Sequence, residues 1–499
     1  MRELKSLLIG LVAVLVLSAT GMCAENTDSI DVNDVIAKTI QQEHQFTGKM
    51  RQYMPLNEIY IQKLRRDSER MQVAASDTYF LGRLDLRRGL NRVVFHGKKN
   101  GMLRMGMTFR PEGMAIMTPD EFNFNDSTYD FHFVGNESLG EVRCLMFDVA
   151  AKAKTKQPRF VGRIWVEDEN YNIVRFQGTY APNHGLKYYF HFDSWRMNVA
   201  PGLWLPAYVY FDEPQFKYGV GQKVTFRAQV RFWGYGLPYT DPIPTDGQYS
   251  DNELLGRMER AGLIAPESDI TRSMEEMVRN ILQANNVLIP GVHCRMLMTS
   301  PLESFSMGHT IFVSRGLIDA VPDEGALAAI LANDVAQMIV GGTYNDHLRI
   351  NDKFLVADRS TFDRLQKFSH HYNRAEIQKK TFEMLKNSPY QNELANAVLF
   401  LRVVQQKAPQ LKNLISPRVV MANSAMSTEM LAAVPTEERQ DWIAALPLGA
   451  RVKVDPWTDR TEANKDDAAL AAGRGRMLLE VGFTAPSLQR AAIDQPKGQ

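Results

Sequence analysis

Three cysteines in 499 residues are too few for a disulfide framework, and no C-x-x-C spacing marks a thiolate metal site or a redox pair. Cys144 and Cys294 are read as two buried free thiols, with one disulfide between domains in an oxidising envelope as the alternative. An excess of one charge is missing too: 58 basic and 57 acidic residues give a net charge of +1. That balance excludes a dedicated nucleic-acid binder, whose phosphate contacts need a basic face. Beyond the N-terminal segment no run of about eighteen apolar residues exists, which excludes a spanning helix in the mature chain. Also missing are a glycine-rich phosphate loop, a serine nucleophile elbow and a Cys–His pair in a recognisable setting. Gly234-Tyr235-Gly236 reads as a turn between strands.

The first 24 residues read as a secretory signal. Arg2 and Lys5 form the charged start, and Leu7 to Leu17 is an apolar run too short to cross a bilayer. Cleavage after Ala24 or Gly21 is expected, and Cys23 offers a lipoprotein alternative that Met22, a large residue before it, argues against. Removing residues 1–24 takes away Arg2, Lys5 and Glu3 and leaves 56 charges of each sign. The chain is expected to be secreted across the inner membrane and to be periplasmic, with association to the outer membrane as a further expectation.

What is there divides by period. The length predicts two or three domains. Residues 30–75 are expected to be helical, with Ile36, Ile40, Ile59, Ile61 and Leu64 at mixed spacing. The stretch 78–240 alternates with period 2, as in Val224, Phe226, Ala228, Val230 and Phe232 against Thr225, Arg227, Gln229 and Arg231. That alternation predicts a half-buried antiparallel strand. Phe160–Val166 and Asn172–Tyr180 are strands joined at Glu167-Asp168-Glu169-Asn170. Leu186–Trp195 and Leu203–Phe211 are another pair, broken at Ala200-Pro201-Gly202. Strands at hairpin distance with no helix between them predict one large antiparallel sheet, curved or closed as an incomplete barrel. The aromatic residues of 186–235 are read mostly as its core.

After a Pro-, Gly- and Asp-rich linker, 238–251, the period becomes helical. Met274, Met277, Val278, Ile281 and Leu282 fall on one face. Short strands follow at Val292–Met298 and Thr310–Ser314. Asp323 opens a helix that Gly341-Gly342 closes, and Ser388-Pro389-Tyr390-Gln391 starts another. The fold class expected is α+β. The units are 1–24, a curved β domain at 25–250, a mainly helical domain at 251–454 and a loosely ordered tail at 455–499.

The helix after Asp323 carries the most informative stretch, Leu331-Ala332-Asn333-Asp334-Val335-Ala336-Gln337. Zinc-peptidase chemistry needs His-Glu-x-x-His on a helix, because imidazoles at i and i+4 share a face and the Glu beside the first is the base. Here Asn333, Asp334 and Gln337 hold those places. Residues 274–408 resemble the HtpX-like zinc metallopeptidases. The resemblance is carried by Leu302-Glu303-Ser304-Phe305-Ser306-Met307-Gly308, by Thr310-Ile311-Phe312-Val313-Ser314-Arg315-Gly316-Leu317 and by Asp323-Glu324-Gly325-Ala326-Leu327-Ala328-Ala329-Ile330-Leu331-Ala332. It implies that Asn392, in Asn392-Glu393-Leu394-Ala395-Asn396, stands where the third ligand, a Glu, would be, and Asn396 where an Asp would be. It also implies that Thr310, Ile311, Phe312, Val313 and Ser314 form an edge strand that grips peptide. More weakly, residues 78–240 resemble the LolA/LolB-like lipoprotein-sorting domains, through Gly162-Arg163-Ile164-Trp165-Val166 and Ile173-Val174-Arg175. That resemblance implies an unclosed barrel with an apolar hollow for acyl chains.

A catalytic zinc usually takes three good ligands, and this set offers at most Asp334. Calcium takes six or more oxygens, and Asp334, Gln337, Asn392 and Glu393 supply only part of that shell. The plainer reading is a buried amide network in place of metal. Without metal nothing lowers the pKa of a water, so Asp334 is read as a structural acceptor, not a base. His370 and His371 are adjacent and point apart on a helix, and His293, His309 and His347 are read as surface or satisfied histidines. The sequence thus predicts a non-catalytic pseudopeptidase of the bacterial envelope. It would need no cofactor and would bind envelope proteins, lipoproteins or lipid acyl chains, in envelope quality control. The alternatives are an active zinc-dependent metalloendopeptidase with an atypical site, and a structural protein whose clefts are filled.

Overall fold

The computed structural model describes residues 31–66, 72–90, 94–97, 111–152, 157–182, 189–218, 222–236, 246–248, 251–341, 349–351, 374–416, 419, 442–444, 452–454, 461–463, 478–480 and 488–491. Residues 1–24, where a signal is expected, and His347, His370 and His371 lie outside them. Among the described residues no helix is long and apolar enough to cross a membrane.

Helix α1 spans Val32–Met50, and its N-cap Asp31 accepts from the backbone N–H of Asn33 and Asp34. It buries Val35, Thr39, Glu43, Phe46 and Met50 along one stripe. Helix gives way to strand earlier than the mixed spacing predicts. Ile59 and Ile61 lie in β1 (Leu56–Arg66), which pairs with β2 (Gln72–Asp85). Their two-residue separation is a strand period, hidden in sequence by the helical residues before it.

The other strands of the large sheet are β3 (Val94–Gly97), β4 (Tyr129–Leu139), β5 (Val142–Ala151), β6 (Arg159–Glu167), β7 (Ile173–Ala181), β8 (Phe192–Ala200), β9 (Leu203–Tyr218) and β10 (Gln222–Trp233). Ten strands lie in the order β3-β2-β1-β10-β9-β8-β7-β6-β5-β4, and every pairing is antiparallel. β3 and β4 are opposite edges, so the sheet is unclosed. Gly162 and Gly178 sit opposite each other on β6 and β7. A Cβ at Gly162 would fall 1.9 Å from the Gln177 carbonyl oxygen, so the two strands approach only because both side chains are missing.

One face of the sheet packs α1 and a layer of aromatics, among them Phe147, Phe160, Phe176, Phe192 and Phe226. Each such burial contributes roughly 1.5–3 kcal/mol. Across this core Arg196 of β8 reaches Glu43 of α1 at 2.7 and 2.8 Å, with both side chains almost fully buried. Arg196 also donates to the carbonyls of Ile173 and Met117, and Thr118 donates to Glu43.

The opposite face is covered as well. There the sequence predicts a solvent-facing side for β10, yet Gln229 and Arg231 are 1% and 4% exposed. A second unit packs on them. It comprises α2 (Asp251–Arg260), α3 (Asp269–Ala284), β11 (His293–Leu297), β12 (Ser304–Met307), β13 (Thr310–Ser314), α4 (Arg315–Ala320), α5 (Glu324–Gly341), α6 (Arg374–Lys386), a 3-10 turn at Pro389–Glu393 and α7 (Leu394–Lys407). Met274, Met277, Val278, Ile281 and Leu282 of α3 are buried, as their spacing predicts. They share one core with Tyr79, Leu81, Trp165, Trp195 and Tyr210 of the sheet.

Several polar groups inside this junction are paired, while among the described residues the Gln229 amide and the Trp195 indole nitrogen are buried without a hydrogen-bond partner. Glu58 of β1 accepts from the Tyr79 hydroxyl at 2.7 Å, the Ser300 N–H at 2.7 Å, the Ser300 hydroxyl and Arg231 at 3.0 Å. Asp77 of β2 accepts from the N–H groups of Asn413 and Leu414 at 2.8 and 2.7 Å. Arg175 lies between the rings of Trp165 and Trp195, 4.1 and 4.5 Å from their centroids, and holds Asp193 through two bonds of 3.0 Å. Cys144 and Cys294 are buried and free, and burial pushes each thiol up to about 12. Most of the predicted tail lies outside the described residues, but Leu488–Ala491 is seated against the sheet.

Candidate functional site

The site with the strongest sequence signal is α5 and the small sheet against it. The lead-in is apolar and small. Ala326, Ala328, Ala329, Leu331, Ala332, Val335 and Ala336 are all buried, so the helix is held on several sides. Gly325 has a steric reason: a Cβ there would lie 2.3 Å from the Cβ of Glu393, so the absence of a side chain lets the 3-10 turn close on the helix start.

The three altered positions part company in space. Asp334 is 1% exposed, and the Ser304 hydroxyl of β12 donates to its carboxylate. Asn333 and Gln337 are half-buried. Asn392 is exposed. Among the described residues no side-chain hydrogen bond joins Asn333, Gln337 and Asn392, so the expected amide network is corrected: what forms is a carboxylate–hydroxyl contact between α5 and β12. The physical reason is orientation. The 3-10 turn aims Asn392 outward and presents Glu393 to the first turn of α5, at Gly325. At about 1.5 Å rise per residue that point lies roughly 12 Å along the helix from Asn333. Glu393 therefore cannot share an ion with Asn333 and Gln337. The residues do not fit a catalytic zinc, because the one carboxylate of the motif is buried and engaged and the third-ligand position faces solvent.

The peptide-binding expectation also needs correction. Thr310–Ser314 (β13) is the middle strand, not an edge. It pairs in parallel with β11 and antiparallel with β12, from His293↔Thr310 to Leu297↔Ser314 and from Ser304↔Val313 to Met307↔Thr310. All five of its residues are buried. The outer side of β11 is partly taken by residues 263–265, through Ala265 N–H to Met296 carbonyl and Met298 N–H to Leu263 carbonyl. Among the described residues β12, Ser304–Met307, is an outer strand of this sheet; three of its four residues are buried and it lies against α5. Just before it, Leu302 is bridged in parallel to Ile415. Sequence placed β11 and β13 but not β12, and so took the inner strand for an edge. An apolar run at Ile311–Val313 against the polar–apolar alternation of Ser304-Phe305-Ser306-Met307 was the available signal.

The hollow face of the large sheet, the expected lipid site, is filled by its own aromatics and by α1, with the Glu43–Arg196 pair inside it. His293 is largely exposed near Glu275, at 3.5 Å.

No family model and no curated protein matches the chain. The resemblance of 274–408 to zinc peptidases therefore stands on its own motif residues alone. Among solved structures, the LolA superfamily protein NE2245 from Nitrosomonas europaea is similar at 11% identity and a TM-score of 0.22, covering 39% of this chain and 92% of its own. MucB in complex with MucA(peri) is similar at 10% identity and 0.14, covering 40% and 92%. The MucA/MucB complex of Pseudomonas aeruginosa is similar at 9% and 0.14, covering 40% and 93%. At such scores these likenesses carry no argument about function, which has to be read from the strands and side chains of the chain itself.

Proposed function

We propose that this chain is a non-catalytic binding protein of the bacterial envelope that holds extended polypeptide along the outer edge of β12, beside the altered motif helix. The observation that carries the reading is the buried Asp334 carboxylate taken up by Ser304 on an outer strand that, among the described residues, has no further strand paired to Ser304–Met307. The first removes hydrolytic chemistry, and the second leaves the backbone groups that strand addition uses. The signal-like N-terminus supports the envelope, and the balanced charge supports protein over nucleic-acid partners. A lipid or lipoprotein chain in the hollow of the large sheet is the weaker reading, because α1 and a buried ion pair would have to leave first.

The test joins elemental mass spectrometry of the purified protein to hydrogen exchange with and without a disordered casein as test polypeptide. The expected result is sub-stoichiometric zinc, a thermal melt unmoved by chelator, and slowed exchange at Ser304–Met307 when casein is added. One tightly held zinc per chain, or cleavage of the casein that chelator stops, would mean that the metalloendopeptidase alternative is correct.

A further inference from the structure

A second site lies at the turn end of the large sheet, and it carries an inference independent of the peptidase-like unit. Leu488–Ala491 is seated there. Leu488 is 2% exposed and belongs to the same apolar cluster as Leu139, Val142 and Cys144. Its N–H donates to the Leu139 carbonyl at 3.2 Å, its carbonyl accepts from the Glu141 N–H at 3.0 Å, and it forms a parallel bridge with Gly140. Two residues on, Arg490 reaches Glu167 at 3.1 Å, Asp168 at 2.8 Å and Glu169 at 3.0 Å. The Ala491 N–H donates to Asn198 Oδ1 at 2.7 Å.

The receiving groups are set by their own surroundings, not by the tail. Glu167 is held by the N–H groups of Glu169, Asn170 and Asn172 and by the Asn172 amide, at 2.9–3.1 Å. The Asn198 amide nitrogen donates to the carbonyls of Ala200 and Leu203, at 2.7 and 3.1 Å, which leaves its oxygen aimed at the tail. An apolar hole, a short stretch of backbone open to pairing, a three-carboxylate clamp and an oriented amide oxygen together make a preorganised receptor.

We propose that this end of the sheet, made by the β4–β5 turn, the β6–β7 turn and Asn198, is a recognition site for an extended peptide with an apolar residue and, two positions later, an arginine. The chain's own Leu488–Ala491 fills it in cis. Tethering gives that segment an effective concentration up to the order of millimolar, so a free peptide must compete with it.

The test uses the full-length protein and a fluorescent peptide covering residues 485–493, read by anisotropy. A Leu488→Asp, Arg490→Glu double variant is expected to bind the peptide saturably, and wild type to bind it at least about tenfold more weakly. A peptide carrying Arg490→Glu should bind neither. Arg490→Ala, which removes one partly exposed cation and leaves the receptor untouched, serves if the double variant fails to fold; its binding should lie between the two. No saturable binding to a variant whose melt matches wild type would overturn the proposal, as would equal binding to variant and wild type.

Discussion

Glu43 and Arg196 show how a single residue decides a packing layer. Both lie inside an aromatic core, and each is tolerable only because the other is there. Glu43→Ala would leave a buried guanidinium without its carboxylate. The expected loss is about 3–5 kcal/mol, read as a lower urea midpoint for the large sheet by tryptophan fluorescence. A loss under about 1 kcal/mol would mean that Arg196 escapes to water. Neither residue stands out in sequence, since a Glu among the many polar residues of 30–75 reads as a solvated face. The motif residues were legible as types. That Asn333, Asp334 and Gln337 make a poor zinc-ligand set follows from chemistry alone; that Asp334 turns inward to Ser304 does not, because a partner thirty residues away is fixed only by packing.

At the scale of elements, the turns, the helix starts and the strand period were readable, and the order of neighbours was not. β7, β10 and α3 sit close to where their periodicity puts them. That β13 lies inside with β12 outside it was unreadable for a simple cause: adjacency across a sheet depends on which backbone groups find partners, not on side-chain period. The 411–416 segment depends on its neighbours in the same way. It is held by Asp77, a β2 residue, and in turn pairs with Leu302 ahead of β12. Asp77→Ala should therefore speed hydrogen exchange at Leu302 and Ser416 at least tenfold while lowering global stability by only about 1–3 kcal/mol. Unchanged exchange at both amides would show that the latch does not hold that strand edge.

Across the whole molecule, the large sheet is a shared wall with a core on each side, and the tail returns to its turn end. Acid should loosen the turn that receives it. Burial works to raise the Glu167 carboxyl, but hydrogen bonds from the Asn172 side chain and from the N–H groups of Asn172, Asn170 and Glu169 outweigh it and hold the group below the usual carboxylate range. A carboxyl with a lowered folded pKa contributes stability that is present above its unfolded value, about 4.3, and lost as pH falls through the folded value. Amide protection at Asn170 and Asn172, whose N–H groups Glu167 accepts, is thus expected to be steady from neutral pH to about 5 and to fall below about 4, as hydrogen exchange over a pH series would show. Protection that instead declines between pH 5 and 7 would place the controlling group elsewhere.

The sequence by itself determined the strand-rich first part, the helical second part, the helix at Asp323 and the poor fit of Asn333, Asp334 and Gln337 to zinc, because each is a matter of local period or residue chemistry. Only the tertiary structure decided that β10 is covered on both faces, that Thr310–Ser314 is an inner strand, that Asn392 faces solvent and that Leu488 and Arg490 dock on a distant turn. Those depend on which surfaces meet across the fold, and residues far apart in the chain carry no local trace of the partner that buries them.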